Sequence, residues 1–427
     1  MNGDNALLWS EHPMAIVALA STFYTAALEE PFRVTLASHQ ISDTVLSVPY
    51  NQLSTFLLNP SSMVPDDTCA KVLMLLRVED LIRLELAEHS KQPCFGSTDC
   101  VSVLRQREAE FLEIISRMQQ LRLTVMICPA GRGAHDTTFL SNGIRVTEHK
   151  IAAKLKSQQK HLVVNWSDFE KFAFAGNLFN PAGDRLGHVP FSPEGLTALA
   201  EFFVERRDQM PSVTLTSASA DDDTADFERF LTSLNVGFAV APMTPESDEA
   251  SIGLMRHTTH FITHPGDKPS PGRPLALASI APEGEAWSFA VDDRFGHYGT
   301  SGAVVLGFDR NIMRIEFLFL TCPVLGRQVE HAMFHWLADI AEQRNSKFIH
   351  IAVVNGRDNK VLSQLLQKLG AETVRDDNAA TRGDATKTQF ALRVAELKDS
   401  VKRIAPNPAA LATIITNMNR GEAAHAR

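Results

Sequence analysis

The stretch LFLTCPVLGRQVE, residues 318–330, places a cysteine, a glycine and an arginine where an apolar strand gives way to an amphipathic helix. If Gly326 ends the turn, the backbone N–H groups that begin the helix have no intrahelical partners. A helix start of this kind binds phosphate, and the guanidinium fork of Arg327 can bind the same anion. On spacing alone, a phosphate site and an ordinary strand-to-helix turn are equally good interpretations.

Cys322 precedes this turn and is a candidate nucleophile. A helix dipole and Arg327 would stabilise its thiolate. The residues alone favour a different interpretation, the small buried hydrophobe that most free cysteines are. His331 and His335 lie one helical turn apart, but no third ligand and no HExxH motif accompany them. We therefore expect a solvated helix face there, and no metal.

A second set of candidate residues lies in the first half of the chain. Ser21 directly follows an apolar run, and Asp184 and His188 precede a helical pattern near residues 192–207. A triad of these residues needs a serine–histidine hydrogen bond and an oxyanion hole. The order resembles that of SGNH-type hydrolases, with DxxxH in place of their DxxH and without their GxND block. A degenerate domain kept for binding is an equally good interpretation.

The hydrophobic pattern predicts the elements that must position these residues. AIVALA, VLMLL, LTVMIC and HLVVN are near-continuous apolar runs, as strands buried on both faces are. Helical patterns separate them, which predicts a parallel sheet covered on both sides. The last third reads strand, strand, helix, strand, helix, strand, the order of a compact acyltransferase-type domain. The predicted fold class is therefore α/β: an SGNH-like three-layer α/β/α domain, then a GNAT-like α+β domain.

The chain has 427 residues, which favours more than one domain. We predict an SGNH-like domain over residues 1–210 and a GNAT-like domain over 226–400. Residues 211–225 are rich in Ser, Thr and Asp and predict a linker. Residues 401–427 are expected to form a tail.

Composition narrows the class of protein. The net charge is −9, so the basic surface that nucleic acid requires is not expected. The apolar segment 13–28 is too short to span a membrane, and acidic residues precede it, so we expect a buried strand there. The five cysteines are scattered without a CxxC pair, which fits reduced thiols. We expect a cytoplasmic protein that binds neither nucleic acid nor membrane.

Several segments together resemble the FkbH-like proteins. WSFAVDDRFGHYG and LFLTCPVLGRQVE are similar to that family's DRFGD(N/Y)G and SCRVLGRGVE motifs. ALASTFYTAAL, VPYNQLSTFLLNPSS, VLMLLRVEDLIR and DRLGHVPFSPE also have counterparts there, so the resemblance covers roughly residues 13–210 and 226–395. This chain departs from the motifs at His297, Pro323 and Gln328, where the family has Asp, Arg and Gly.

The resemblance implies roles for the residues of these motifs. Cys322 would carry the acyl unit or form part of a pocket wall. Asp293, a candidate catalytic residue, and Arg294 would shape the cleft or pair structurally, and Arg294 and His297 would contact substrate. The turn is also similar to the (Q/R)xxGx(G/A) pattern of GNAT acyltransferases, which binds the pyrophosphate of CoA. That similarity implies CoA or phosphopantetheine binding by Val324, Leu325, Gly326, Arg327 and Gln328, with Asn359 as a further candidate.

FkbH-like enzymes load a glyceryl unit from bisphosphoglycerate onto an acyl carrier protein, with a central HAD-type phosphatase domain that carries a DxDxT motif. This sequence has no such motif near residue 211. The resemblance thus implies an acyltransferase of polyketide or non-ribosomal peptide biosynthesis, whose partner is acyl-CoA or an acyl carrier protein. The alternatives are a non-catalytic carrier-protein-binding scaffold and an SGNH-type esterase using Ser21 and His188.

Overall fold

A computed structural model describes residues 15–49, 52–65, 67–82, 97–130, 138–173, 176–255, 258, 261–263, 277–281, 283–354, 360–374 and 387–425. Within these ranges the chain forms two sheets, each covered by helices. The predicted α/β fold class, with a parallel-sheet domain followed by an α+β domain, is confirmed.

The strands of the first sheet are β1 Ile16–Ser21, β2 Thr44–Ser47, β3 Thr68–Leu76, β4 Leu123–Ile127, β5 Leu162–Val164 and β6 Ser212–Leu215. Its helices are α1 Ala26–Ser38, α2 Leu53–Leu58, α3 Ser97–Arg117, α4 Thr138–Ser157, α5 Trp166–Phe172, α6 Pro181–Gly187 and α7 Pro193–Glu205. The order β2-β1-β3-β4-β5 is parallel throughout. The carboxyl ends of β1 and β3 therefore meet at one edge of the sheet.

Both faces of this sheet are buried, as its continuous apolar strands predict. Leu73 and Leu75 of β3 belong to the core formed with α1 and α7, whereas Val72 and Met74 belong to the core formed with α2, α3 and α4. Successive strand residues point to opposite faces, so a strand covered on both sides needs apolar residues at every position. Each such side chain contributes roughly 2 kcal/mol by its burial.

The predicted linker over residues 211–225 is wrong. β6 pairs antiparallel with the first part of β3, and Leu215 at its end is fully buried. The next helix already begins at Ser217. The Ser- and Thr-rich composition indicated a loop, but β6 is a short strand whose buried contact lies mainly at Leu215. The first sheet therefore extends beyond residue 210, the predicted end of its domain.

The strands of the second sheet are β7 Gly237–Pro242, β8 Glu285–Asp293, β9 Gly296–Asp309, β10 Ile312–Leu320, β11 Phe348–Val354, β12 Glu372–Val374 and β13 Lys387–Arg393. The remaining helices are α8 Ser217–Leu234, α9 Pro245–Met255, α10 Val329–Gln343, α11 Lys360–Lys368, α12 Val394–Ile404 and α13 Pro408–His425. The strand order is β12-β13-β11-β10-β9-β8-β7, and β10 and β11 are its parallel pair.

The predicted tail over residues 401–427 is also wrong, because α13 is a packed helix. Leu411, Ile414 and Met418 are nearly fully buried, at the helical spacing that a core-facing stripe requires. Asn407 begins the helix, with its Oδ1 accepting the N–H of Ala410 at 3.0 Å. A capping Asn followed by Pro408 was a readable helix start in the sequence.

Candidate functional site

A cavity of about 130 Å³ lies between the two domains. Ser21, Thr22 and Asp80 line it from the carboxyl edge of the first sheet. Pro323, Gly326 and Arg327 line it from the strand-to-helix turn of the second domain. The two candidate regions that the sequence indicated separately therefore border one cavity.

The turn of the second domain begins where β10 ends. Cys322–Val324 form a single 3₁₀ turn, and α10 starts at Val329. Gly326 has φ +79°, and a Cβ at this position would lie 2.8 Å from Thr55 Oγ1 of α2. A glycine is needed here both for the left-handed backbone and for the close approach of the first domain. The side chain of Cys322 lies outside the described part of the structure.

Arg327 is buried and forms hydrogen bonds to three protein groups. Its Nε donates to the carbonyl of Pro323 at 3.0 Å, and its terminal nitrogens donate to Asp293 and, across the domain interface, to Glu110. Burial alone would lower the pKa of this guanidinium, but Glu110, Tyr298 and Asp293 together raise it above its usual value. A phosphate at these nitrogens would therefore compete with two carboxylates for the guanidinium.

The start of α10 also holds a carboxylate of the chain itself. The N–H of Gly326 donates to Glu330 Oε1 at 3.1 Å. Glu330 Oε2 is buried and, among the described residues, has no hydrogen-bond partner. Burial raises the pKa of Glu330 to about 7. An anion-binding position of the kind predicted is thus occupied by the Glu330 carboxyl group.

Gln328 has a structural role at the position where the similar motif has glycine. Its φ is +66°, a left-handed value that a glutamine adopts at a cost on the order of 1 kcal/mol. The buried side-chain oxygen accepts the N–H of Asn407 at 2.8 Å, which ties the turn to the start of α13. Val324 and Leu325 are buried. Asn359 lies outside the described residues, and cofactor binding by this set remains a prediction.

Asp293 shapes the turn between β8 and β9. Its Oδ1 accepts the N–H groups of Phe295 and Gly296 at 2.8 and 3.2 Å, and its Oδ2 accepts the Tyr298 hydroxyl at 3.0 Å. Arg294 forms an ion pair with Glu113 of α3, which is a second link between the domains. This part of the DRFG motif therefore builds the domain interface.

Arg294 and His297, the predicted substrate contacts, lie at exposed positions outside the cavity. His297 pairs with Asp292 across the β8–β9 ladder. Contact with a substrate held in the cavity would require these side chains to move, so their role stays a prediction.

Ser21 lines the cavity but is bound locally. Its hydroxyl donates to the carbonyl of Phe23 at 2.5 Å and accepts the N–H of the same residue at 3.1 Å. His188 is buried at the end of α6, and its carbonyl accepts the N–H of Tyr24 at 2.9 Å. The backbone of residue 188 therefore lies close to the end of β1, as a triad of Ser21, His188 and Asp184 requires.

Asp184, the predicted acid, binds an arginine that the sequence reasoning missed. Its two oxygens accept hydrogen bonds from the terminal nitrogens of Arg77, both at 2.7 Å. Arg77 also donates to Asp80 from Nε at 2.9 Å. The triad remains a prediction. To act in it, Asp184 would have to exchange its hydrogen bonds with Arg77 for one with His188.

The sequence around Arg77 and Asp80 indicates that they belong to a site at the edge of the sheet. They form part of RVED, a charged segment directly after the apolar run VLMLL. Charged residues at the carboxyl end of a buried parallel strand face the edge where sites of α/β proteins gather. Two acidic residues and an arginine at such a position indicate a buried ion-pair network, and this network borders the cavity.

The second sheet opens between β10 and β11, and the chain fills the opening itself. The two strands pair over Ile312–Ile315 only, although β10 continues to Leu320. Thr263 lies between them: its N–H donates to Leu318 O at 2.9 Å, and its carbonyl accepts the N–H of Val354 at 3.2 Å. Any other molecule could enter this opening only by displacing residues 261–263.

The predicted solvated face of α10 is wrong. His331 and His335 are both buried. Lys368 of α11 lies near His331, and Lys398 and Lys402 of α12 lie near His335. Burial lowers the pKa of His331 to about 4, so this imidazole is neutral at physiological pH. Within the described ranges, no group of three or more His, Cys, Asp or Glu residues could hold a metal ion. The same residues include no helix that is long and apolar enough to cross a membrane.

Comparison with known proteins gives similarity only at the level of solved structures. No family model matches the chain, and no curated protein matches it. The N-terminal part of protein BF1531 from Bacteroides fragilis, which contains a phosphatase domain complexed with Mg, is 12% identical with a TM-score of 0.36. That match covers 46% of this chain and 53% of the other, so the chain spans about half the length of that structure.

Two further structures are matched over a smaller share of this chain. A Bacillus subtilis acetyltransferase in complex with CoA is 12% identical over 37% of this chain and 98% of its own, with a TM-score of 0.26. A Klebsiella pneumoniae protein described as an acyl-CoA N-acyltransferase is 14% identical over 37% and 97%, with a TM-score of 0.28. TM-scores and identities of this size carry no argument about the function of this chain.

Proposed function

We propose that the protein is an acyltransferase of specialised metabolism that acts in the cavity between its two domains. It would take an acyl group from a thioester of CoA or of a phosphopantetheinyl carrier protein and pass it to an acceptor. The observation that carries the proposal is the shared cavity, because it brings the FkbH-like turn 322–327 opposite the strand ends of the first domain.

Cys322 is the proposed acyl carrier, since its backbone immediately precedes Pro323 in the cavity wall. Its thiolate would attack the thioester carbonyl carbon. The new C–S bond forms, the bond to the pantetheine sulfur breaks, and the pantetheine thiolate takes up the proton given by Cys322. The acyl group then waits on the enzyme for the acceptor.

Intact-protein mass spectrometry tests this step. The protein is incubated with acetyl-, propionyl- and butyryl-CoA and with the corresponding N-acetylcysteamine thioesters, which present the end of the pantetheine arm. We expect one acyl adduct that hydroxylamine removes. Cys322→Ala should abolish the adduct, whereas Cys69→Ala, at a half-buried cysteine of β3, should keep it. An adduct that survives in Cys322→Ala, or none with any thioester, would overturn the proposal.

A non-catalytic scaffold that binds a carrier protein is the second candidate. It is favoured by the occupied state of the turn, where Arg327 and the Gly326 N–H already bind protein carboxylates. This candidate predicts that the holo form of a carrier protein binds without any transfer of its acyl group. Size-exclusion chromatography of the mixture, followed by mass spectrometry of the carrier, distinguishes the two.

An esterase using Ser21, His188 and Asp184 is a third candidate, favoured only by the presence of Ser21 in the cavity wall. An activated serine reacts with a fluorophosphonate probe, and Ser21→Ala should then prevent labelling. Absence of labelling in the unmodified protein would remove this candidate.

A further inference from the structure

Three polar side chains of the first domain face the turn of the second domain. Ser54 and Thr55 of α2 line the cavity together with Gly326. Thr55 Oγ1 lies 2.8 Å from the position that a Cβ on Gly326 would take, and the side-chain oxygen of Gln52 lies 3.6 Å from it. The side chains of this segment, residues 52–55, therefore border the turn directly.

These three side chains have hydrogen-bonding capacity that the protein does not use. Each residue is half-buried. In the part of the chain that the structure describes, the side chains of Gln52, Ser54 and Thr55 form no hydrogen bond, and Gln52 does not cap α2. A hydroxyl both donates and accepts, and an amide side chain carries both functions. The segment 52–55 thus offers uncharged donors and acceptors to a ligand in the cavity.

The anion-binding groups of the turn, by contrast, are engaged by carboxyl groups of the protein. The Gly326 N–H donates to Glu330 Oε1. Arg327 donates to Asp293 and to Glu110. A pyrophosphate at this place would compete with these carboxyl groups. Because charge-assisted hydrogen bonds are among the strongest in proteins, we expect the turn to recognise a phosphate group weakly.

The opening between β10 and β11 is likewise filled by the chain itself. Strand edges bind extended chains through their backbone N–H and C=O groups, which an amide-containing ligand can also use. Here the Leu320 N–H donates to Phe261 O at 3.0 Å, and the Val354 N–H donates to Thr263 O at 3.2 Å. Phe261 and Thr263 are completely buried, so a ligand would have to displace a packed segment to enter.

The pantetheine arm of the proposed thioester matches the unused groups of the segment 52–55. The arm is uncharged, and each of its amides has one N–H donor and one C=O acceptor. It is also long and thin. Since the cavity is half open to solvent, the arm can enter while its far end stays outside. CoA and a phosphopantetheinyl carrier protein present the same arm.

We propose that Gln52, Ser54 and Thr55 hold the pantetheine arm by hydrogen bonds to its amides. This inference rests on the proposed acyltransferase function. The first domain binds the thioester donor, and the second domain supplies the turn that carries Cys322. The phosphate or nucleotide beyond the arm contributes little, so the protein accepts the arm from either source.

Titrations followed by saturation-transfer difference NMR test the inference with three probes. Pantetheine is the arm alone, CoA adds the nucleotide, and adenosine bisphosphate is the nucleotide part without the arm. We expect the dissociation constants of pantetheine and CoA to agree within about five-fold, because a phosphate read by charged groups would shift the affinity about tenfold or more. A larger difference, binding of adenosine bisphosphate alone, or no binding of pantetheine would overturn the inference.

Thr55→Val and Thr55→Ser are the matched variants, because valine removes the hydroxyl at similar volume and serine keeps it. The dissociation constant of pantetheine should rise about five-fold in Thr55→Val and stay within about two-fold in Thr55→Ser. An unchanged constant in a folded Thr55→Val protein would also overturn the inference. If Thr55→Val does not fold, Ser54→Ala, which removes the other cavity hydroxyl, decides by the same criterion.

The design separates binding of the arm from transfer of the acyl group. The titrations are repeated in Cys322→Ala, which has no thiol at residue 322 to acylate. Pantetheine binding that depends on Thr55, with no acyl adduct in the unmodified protein, would show that the proposed transfer fails while the arm site stands. An adduct on Cys322, with pantetheine binding that is indifferent to Thr55, would leave the transfer in place and remove the arm site.

Discussion

Arg77 and Arg327 are both buried and both form ion pairs with carboxylates near the cavity, but these pairs connect different parts of the molecule. Arg77 binds Glu79, Asp80 and Asp184, which all belong to the first domain. Arg327 binds Asp293 of its own domain and Glu110 of the other. Arg77 therefore forms ion pairs within one domain, whereas Arg327 forms an ion pair between the two domains.

Because of this difference, removing either arginine should have a different effect on the protein. A buried charge that loses its partner is strongly destabilising, because desolvation is no longer compensated. At Arg77 that cost falls on the first domain alone. At Arg327 the lost ion pair lies in the interface between the domains. Its loss should therefore weaken the coupling between the domains as well as lower the free energy of unfolding. The two arginines can be separated by experiment.

The largest effect is expected for Arg77→Met, which leaves the buried carboxylates of Glu79 and Asp80, and the half-buried carboxylate of Asp184, without their cation. We expect a loss of about 5 kcal/mol in the free energy of unfolding. Hydrogen exchange measured by mass spectrometry should show the loss in β1, β3 and β4 and spare β9 and β10. The control is Arg33→Met at an exposed pair, expected within about 0.5 kcal/mol of the unmodified protein. Equal loss of protection in both sheets would contradict the local role of Arg77.

Arg327→Met should cost about 4 kcal/mol, since Glu110 and Asp293 lose a common partner. Calorimetry should show one unfolding transition becoming two, as the domains come apart before either unfolds. Arg327→Lys keeps the charge and loses the fork, so its effect should be smaller but of the same kind. A single cooperative transition in a destabilised Arg327→Met protein would show that other contacts couple the domains.

Glu330→Gln tests the carboxyl group that accepts the Gly326 N–H at the start of α10. Burial raises the pKa of Glu330 to about 7 from an ordinary value of 4.5. Between these values the folded state keeps a proton that the unfolded chain releases, so stability falls as pH rises. The neutral glutamine avoids this loss. The variant should therefore gain about 3 kcal/mol relative to the unmodified protein between pH 4 and pH 8.

Urea unfolding at both pH values measures this gain. His331 contributes a slope of opposite sign, since burial lowers its pKa to about 4, but the contribution is common to both proteins at each pH. Glu201→Gln, at an exposed position of α7, is the control and should show no such gain. A difference between Glu330→Gln and the unmodified protein that does not vary with pH would exclude titration of Glu330 in this range.

The smallest effect is expected at Gln328. Gln328→Gly relieves the left-handed backbone and loses the hydrogen bond to Asn407, so the two changes should cancel within about 1 kcal/mol. Gln328→Ala loses the bond and keeps the strain, and should be destabilised by about 2 kcal/mol. Thermal unfolding of the two variants makes the comparison. Equal effects of glycine and alanine would mean that the backbone conformation costs nothing here.

The strands of the first sheet could be predicted because both of their faces are buried, which leaves a continuous apolar run in the sequence. Arg327 could be found from the motif in which it lies, but its partner Glu110 could not. These two residues are 217 positions apart, and the local sequence pattern cannot predict a contact over such a distance. β6 was mistaken for a linker because only Leu215 shows its burial. His331 and His335 were placed in solvent because the residues near them come much later in the chain. Lys368 lies 37 positions after His331, and Lys398 lies 63 positions after His335.

Residues 261–263 have a consequence for the order of folding. Thr263 hydrogen-bonds to Leu318, 55 positions later, and also to Val354, so the middle of the second sheet is closed by contacts distant in the sequence. Closing such loops is slow compared with forming a hairpin like β9–β10. The hairpins of this domain can therefore form early as separate units. The sheet becomes continuous only when residues 261–263 join its two halves.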